Sequence, residues 1–438
     1  MIREISKTIC KTVNHYMELG GQQRSRWLNV PAAAAATGLI AASIWSIRVG
    51  AADYRMRQET IGAAHAAIRL TPDQSESYAR LAWLASGGDP RTAKAALLHA
   101  VAVNPWDTRS RIELGLLAEA EGDSTTSERY LLQAAETDHL FLPRWTLANY
   151  YFRRGDTSQF WGWAKEAADR VYGDAQPLFR LCGRVAEDGK LIDRLQIQSA
   201  DARAGYLSYL LGQNRVDLIV PAVRRLLQEN RDVDGPLLWQ ACERLLEAQR
   251  VDEATEIWNR QADAGRAPSR TLAGEGQQLI VNSDFAAAPA SRGFDWRLPA
   301  VEGISFSRED ESRGLRVTFS GRQPEDCEAL VQLVAIHGQG AYELSFVYRT
   351  GGATSAKGIA WRITSGDGAV LGEGAVPASD ADTTGRLSFR MPAACRLARL
   401  ALTYHRTPGT TRLEGFLVLR RVTLKPEPQP PIDGSRVK

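Results

Sequence analysis

Two kinds of side chain in this sequence could do chemistry by type and setting. Arg153 and Arg154 are adjacent guanidinium forks, suited to a carboxylate or a phosphate. Trp296, Tyr348, Trp361 and Tyr404 carry rings that could stack on a sugar. Tyr348 alternates in phase with Leu344 and Phe346, and Trp361 with Ile359 and Ile363, which predicts inward core positions for both. Trp296 sits in the loop-like stretch GFDWRL, so it is the candidate glycan contact. Catalytic constellations do not emerge. The six histidines (His15, His65, His99, His139, His337, His405) have no HxH or HxxxH spacing, which argues against zinc. The glycine-rich GDGAVLGEG from Gly366 to Gly374 lies between strand-like stretches with no helix after it, and reads as a hairpin turn, not a phosphate cradle. Paired carboxylates of the glycosidase kind cannot be recognised by spacing, because they meet across loops. We therefore expect a protein that is not an enzyme and holds no metal and no cofactor.

At 438 residues the chain suffices for two or three domains. The 54 basic and 51 acidic residues are interspersed, so no footprint for nucleic acid stands out. The five cysteines (Cys10, Cys182, Cys242, Cys327, Cys395) are odd in number and scattered, and read as small buried hydrophobes; a single Cys327–Cys395 bridge is the alternative. From Trp27 to Ile47 the chain carries no charge, with Arg24 and Arg26 before it and Arg48 after it. That predicts a transmembrane helix over 27–48 following a cytoplasmic tail, 1–26. The flanking basic residues nearly balance; Arg3 and Lys7 tip the N-terminus toward the cytoplasm, placing the rest in the periplasm of a Gram-negative cell, anchored by a single pass in the inner membrane.

Beyond the anchor, Gly88-Asp89, Gly122-Asp123 and Gly155-Asp156 recur 34 and then 33 residues apart. Each pair is flanked by helical patterns with apolar residues at i, i+3, i+4 and i+7, so each unit is a helix, a turn and a second helix. This period resembles the tetratricopeptide repeat. Leu114, Gly115 and Ala118 match the family's first helix, Ser127, Leu131 and Ala134 its second, and Pro72 and Pro105 its terminating proline. Gly115, costly inside a helix, is then explained by the close approach of the second helix. Paired amphipathic patterns continue to about 265, with Trp239, Cys242, Ala254 and Trp258 near repeat phase, so 53–265 is expected to be one helical solenoid of about six hairpins. The resemblance implies a concave groove lined by the residue after each small site, which predicts Trp83, Leu116 and Tyr150, with Glu119, Arg153 and Arg154 one turn further and Arg109 at the entry of the second unit. Such a groove would take a protein or peptide ligand.

A Gly-, Ala- and Pro-containing linker, 266–276, precedes a region of period two. Short strands such as LRVTFSG, AYELSFVYRT and GFLVLRRVTL predict an all-β sandwich over 277–426, with a disordered tail over 427–438. Its opening LIVNSDF, the GFDWRL stretch and the closing strand resemble the jelly-roll carbohydrate-binding modules and the wider galactose-binding-like sandwiches, with Ser283 replacing the usual glycine. The expected architecture is thus multidomain, an all-α repeat array followed by an all-β jelly roll behind one transmembrane helix. The expected function is that of a scaffold in the bacterial cell envelope, in polysaccharide assembly or export. The alternative is a tethered glycan-binding protein, with polysaccharide as the partner of the sandwich and the repeats as a spacer.

Overall fold

A computed structural model describes residues 29–186, 191–267, 272, 278–309, 314–352 and 357–427. The expected tails, most of the expected linker and Cys10 lie outside them. The chain divides into two compact units, Met1–Trp163 and Ala164–Lys438.

The first unit begins with α1 (Asn29–Met56), one uninterrupted helix of 28 residues. Its stretch Ala34–Met56 is long and apolar enough to cross a membrane. The helix does not stop at Arg48, where the uncharged run ends. Arg48 instead donates from Nε and Nη2 to the Leu70 carbonyl at 3.0 and 2.6 Å. Further on, Ala52 is buried and Ser77 Oγ donates to Met56 Sδ. The apolar helix and the first helix of the array are therefore one element.

Then come α2 (Ile61–Leu70), α3 (Ser75–Ala85), α4 (Pro90–Val103), α5 (Thr108–Ala120), α6 (Ser124–Thr137), α7 (Phe141–Arg154) and α8 (Thr157–Ala168), within which the first unit ends. The recurring Gly-Asp is explained locally. Asp89, Asp123 and Asp156 accept hydrogen bonds from the backbone N–H of Thr92, Thr126 and Gln159, capping the second helix of each pair. Gly122 and Gly155 reach φ of +81° and +73°, the left-handed conformation that ends the first helix. Inside the pairs, the Gly115 position faces Leu131, whose Cδ2 would stand 2.7 Å from an added Cβ. Ala82 and Ala148, 33 residues to either side of it, are buried in the same way.

The second unit continues with α9 (Gln176–Val185), α10 (Leu191–Leu195), α11 (Ala200–Gly212), α12 (Val216–Glu229), α13 (Gly235–Glu247) and α14 (Val251–Asp263). Trp239 and Trp258 meet edge to face at 5.5 Å, and both are buried with Cys242 and Ala254. Cys182, Cys242, Cys327 and Cys395 are all unbridged, so the alternative of a Cys327–Cys395 bridge is not realised. Burial pushes the Cys182 thiol up to about 12, which makes it inert at neutral pH.

The sandwich consists of β1 (Ile304–Arg308), β2 (Leu315–Ser320), β3 (Asp326–Ala335), β4 (Gly340–Gly351), β5 (Ile359–Ser365), β6 (Val370–Ala375), β7 (Thr383–Met391), β8 (Leu397–His405) and β9 (Glu414–Pro426). They form a five-stranded antiparallel sheet, β1-β2-β9-β4-β7, and a four-stranded one, β3-β8-β5-β6. The core between them gathers Trp296, Trp361, Phe346, Tyr348, Tyr404, Leu417 and their neighbours. LIVNSDF is not a strand. Asn282 and Phe285 adopt φ of +47° and +54°, and the segment holds β9 by isolated bonds, Leu279 N–H to Leu424 O and Val422 N–H to Ser283 O. The run expected to be a turn, Gly366–Gly374, turns at Gly366–Gly368 and then becomes most of β6.

Within this unit α13 and α14 sit against the sandwich. Glu243 accepts from the Gly293 N–H and, at 2.8 Å, from Arg297 Nη2. Phe294 meets Trp258 edge to face at 5.9 Å, Arg292 lies 4.8 Å over the Trp239 ring, and Arg396 pairs with Asp252 at 2.9 Å. Gly293 permits this approach, since an added Cβ would stand 2.7 Å from the Trp258 ring.

Candidate functional site

The first unit carries a cleft of about 450 Å³ lined by Met56, Glu76, Ala79, Arg80, Trp83, Asp107, Arg109 and Glu113. Its walls follow from helix periodicity. Residues 76, 79, 80 and 83 lie at i, i+3, i+4 and i+7 and share one face of α3, while Ala82 packs the other. Trp83 is therefore turned outward and remains 53% exposed. The Arg80 guanidinium lies 4.5 Å from the centre of the Trp83 ring, a cation–π contact, and also pairs with Glu59 at 3.1 Å.

From α5, Arg109 Nε lies 3.6 Å from Glu113 Oε1. Burial pushes the Glu113 carboxyl above its ordinary range, and the Arg109 charge opposes that shift. Asp107 caps α5 by accepting from Ser110 N–H and Oγ at 3.0 and 2.9 Å. The arrangement offers a flat ring, two cations and three carboxylates in an open cleft. That is recognition chemistry for an extended segment carrying an apolar or charged side chain. Among the described residues no three His, Cys, Asp or Glu side chains come together as a metal-binding group.

Of the residues singled out from the sequence, Trp83 and Arg109 share this cleft and Leu116 is exposed on the same helix as Arg109. Glu119 and Arg153 lie outside the cleft lining and hold each other, Arg153 Nε to Oε1 at 2.9 Å and Nη2 to Oε2 at 2.7 Å, so the Arg153 fork is already engaged by a carboxylate. Arg154 is exposed, with its guanidinium 5.5 Å over the Tyr150 ring.

Tyr150 is not a groove residue. It is fully buried and donates its hydroxyl to the Ser124 carbonyl at 3.0 Å. The reason is a register difference of one residue. The small site of α7 is Ala148, not Asn149, because the segment from the small site to Gly-Asp is one residue longer in the second and third hairpins than in the first. Asn149 is thus the counterpart of Trp83 and Leu116, half-buried and bonded to the Trp145 carbonyl at 2.8 Å. Arg80, Glu76 and Glu113 were missed, although their helical phase with Trp83 and Arg109 was readable in the sequence.

Trp296 is likewise a correction. It is completely buried, donates Nε1–H to the Asn282 carbonyl at 3.1 Å and stacks on Phe285 at 5.4 Å, so neither ring face is open to a sugar. Tyr348, Trp361 and Tyr404 are buried as well, leaving the sandwich without an aromatic platform from these rings.

No family model matches the sequence, and no curated protein matches it. Among solved structures, a carbohydrate-binding module described as CBM4 is similar at 12% identity and a TM-score of 0.28, covering 34% of this chain and 99% of that one. TmCBM61, solved with β-1,4-galactotriose, is similar at 15% identity and a TM-score of 0.27, covering 34% of this chain and 99% of that one. MamA is similar at 18% identity and a TM-score of 0.23, covering 25% of this chain and 66% of that one.

Proposed function

We propose that this protein is a membrane-anchored scaffold of the tetratricopeptide-repeat kind that acts by binding, not by catalysis, and that the cleft between α3 and α5 holds a segment of a partner protein. The observation that carries this reading is Trp83, a large ring left exposed on a helix face beside Arg80 and Arg109. An exposed tryptophan flanked by arginines in a concave site is the composition of an interface hot spot. In this reading α1 is the membrane anchor, the array lies on the periplasmic side of a bacterial inner membrane, and the partner belongs to envelope or polysaccharide machinery.

The test places a photo-crosslinking amino acid at Trp83 or Arg109 in the full chain in its native membrane, and at Leu98, which is exposed on α4, as control. We expect a discrete adduct from positions 83 and 109 that disappears when Arg80→Ala is added, and none from position 98. Equal adducts from all three positions would remove the cleft from the proposal. Cysteine labelling from the periplasmic side, positive at an introduced Trp106→Cys and absent from an N-terminal tail position, checks the topology.

A further inference from the structure

The outer faces of the two sheets differ in charge. On the four-stranded sheet the charges are matched, Arg362 with Glu373 at 3.2 Å and Arg399 with Glu328. On the five-stranded sheet they are not. Core packing of Leu315, Val317, Leu344, Phe346, Leu417 and Leu424 turns the alternate residues outward. Three of these, Arg316, Arg349 and Arg420, converge on Glu309. Arg316 Nη2 lies 2.8 Å from Oε1, Arg349 Nη2 3.1 Å from Oε2 and Arg420 Nη1 2.8 Å from Oε2. Arg420 also meets Asp382 at the sheet edge, at 3.4 Å. Four more cations, Arg386 and Arg390 on β7 and Arg421 and Lys425 on β9, are exposed, and of these Arg386 faces Glu343 at 3.7 Å. Among the described residues of this face, cations therefore outnumber carboxylates.

The outward positions beside the cations include Ser305, Ser307, Thr318, Ser345, Thr384 and Ser388, together with Val347 and Val418. Phe416 is covered by Arg316, whose guanidinium lies 3.9 Å over its ring. No large hydrophobic residue is exposed on the described part of this face. A protein interface wants apolar anchors, a single-stranded nucleic acid wants open rings, and a membrane surface is best held by inserted apolar side chains. A face of cations and hydroxyls matches a polymer that carries both hydroxyls and carboxylates. Glu309 shows how a carboxylate is received there, by several guanidinium groups at once.

We propose that the outer face of the five-stranded sheet binds an acidic, uronate-type polysaccharide, with Arg386, Arg390, Arg421 and Lys425 receiving its carboxylates alongside the Glu309 arginine cluster. The site is independent of the α3–α5 cleft, and either can fail without the other.

The test uses the full chain in neutral-lipid nanodiscs and three probes: polygalacturonate, the same polymer fully methyl-esterified, and vesicles containing phosphatidylglycerol. Polygalacturonate should bind in a salt-sensitive manner and the ester should not. Arg386→Gln/Arg390→Gln/Arg421→Gln should weaken binding about tenfold or more, with Arg362→Gln, on the other sheet, unchanged. Equal binding of acid and ester, an unaffected triple variant, or capture by the vesicles without capture by polygalacturonate would each overturn the proposal. The ester comparison needs no variant, so it decides the matter even where the triple substitution disturbs folding.

Discussion

Replacing Gly115 with alanine should destabilise the α5–α6 pair, although the same change in an open helix stabilises. Alanine is favoured over glycine inside a helix by about 1 kcal/mol. Against that gain, the new methyl group would lie 2.7 Å from Leu131 Cδ2, 2.8 Å from Leu131 Cγ and 3.2 Å from the Ser127 carbonyl oxygen. Leu131 is completely buried, so it cannot swing into solvent to make room. Overpacking of this kind costs about 1–3 kcal/mol, which leaves a net loss of about 1 kcal/mol. Gly162 in α8 supplies the comparison, being exposed with nothing within 4 Å of an added Cβ. Native-state hydrogen exchange on the full chain reads both changes locally. Gly115→Ala should speed exchange of the most protected α5 and α6 amides about fivefold, and Gly162→Ala should slow exchange in α8 by a similar factor. If Gly115→Ala slows exchange as Gly162→Ala does, the close-approach explanation of this glycine is wrong.

Trp296→Ala should cost about 3–5 kcal/mol and abolish the near-ultraviolet circular dichroism of the sandwich; loss of glycan retention with the dichroism intact would return Trp296 to a ligand role. Tyr150→Phe removes the bond to Ser124 and should lower stability by about 1 kcal/mol while leaving the crosslink from position 83 unchanged, whereas a lost crosslink with unchanged stability would put Tyr150 back in the groove. Glu243→Ala should leave Arg297 and the Gly293 N–H without their carboxylate, and hydrogen exchange should then rise at residues 290–297 and along α13; unchanged exchange at both would show that the aromatic contacts alone hold α13 to the sandwich. Burial raises the Glu309 carboxyl, but the Arg316 hydrogen bond and the Arg349 and Arg420 charges outweigh it and hold it below the usual range. A lowered folded value means that its contribution is present above about pH 4.3 and lost as pH falls through the folded value, so acid titration of Glu309→Gln should show a shallower acid limb than the parent protein.

The helical array was legible because it repeats. A Gly-Asp turn every 33 or 34 residues marks helix ends by a capping carboxylate at each turn and, at Gly122 and Gly155, by a left-handed glycine. The same marker misplaced Tyr150, because counting back from the turn assumes turns of equal length. The central strands were legible from alternation, but β1 and β6 were not. Ile304–Arg308 has two apolar residues, and in β6 the chain uses Gly372 and Gly374 to lie flat against Phe389 and Leu387, so a strand reads as a turn. Trp296 misled for a related reason. Its neighbours Gly293 and Asp295 have loop composition, yet Gly293 is needed for contact with Trp258 and Asp295 is buried as an acceptor for Ala290 N–H. The basic sheet face escaped notice because its arginines come from β2, β4, β7 and β9 and cluster only once the strand order is known.

The unbroken α1 makes the apolar stretch and the first wall of the cleft a single lever. Met56, its last residue, lines the cleft, and Arg48 lies eight residues earlier, about 12 Å along the axis. There is no swivel in that distance. With α1 seated in a bilayer, the tilt of the anchor sets the attitude of the cleft directly, and a bilayer that is thicker or thinner than the apolar run turns the cleft as it tilts the helix. A partner would then be met at a height and angle fixed by the membrane itself, where a flexible tether would have let the cleft search.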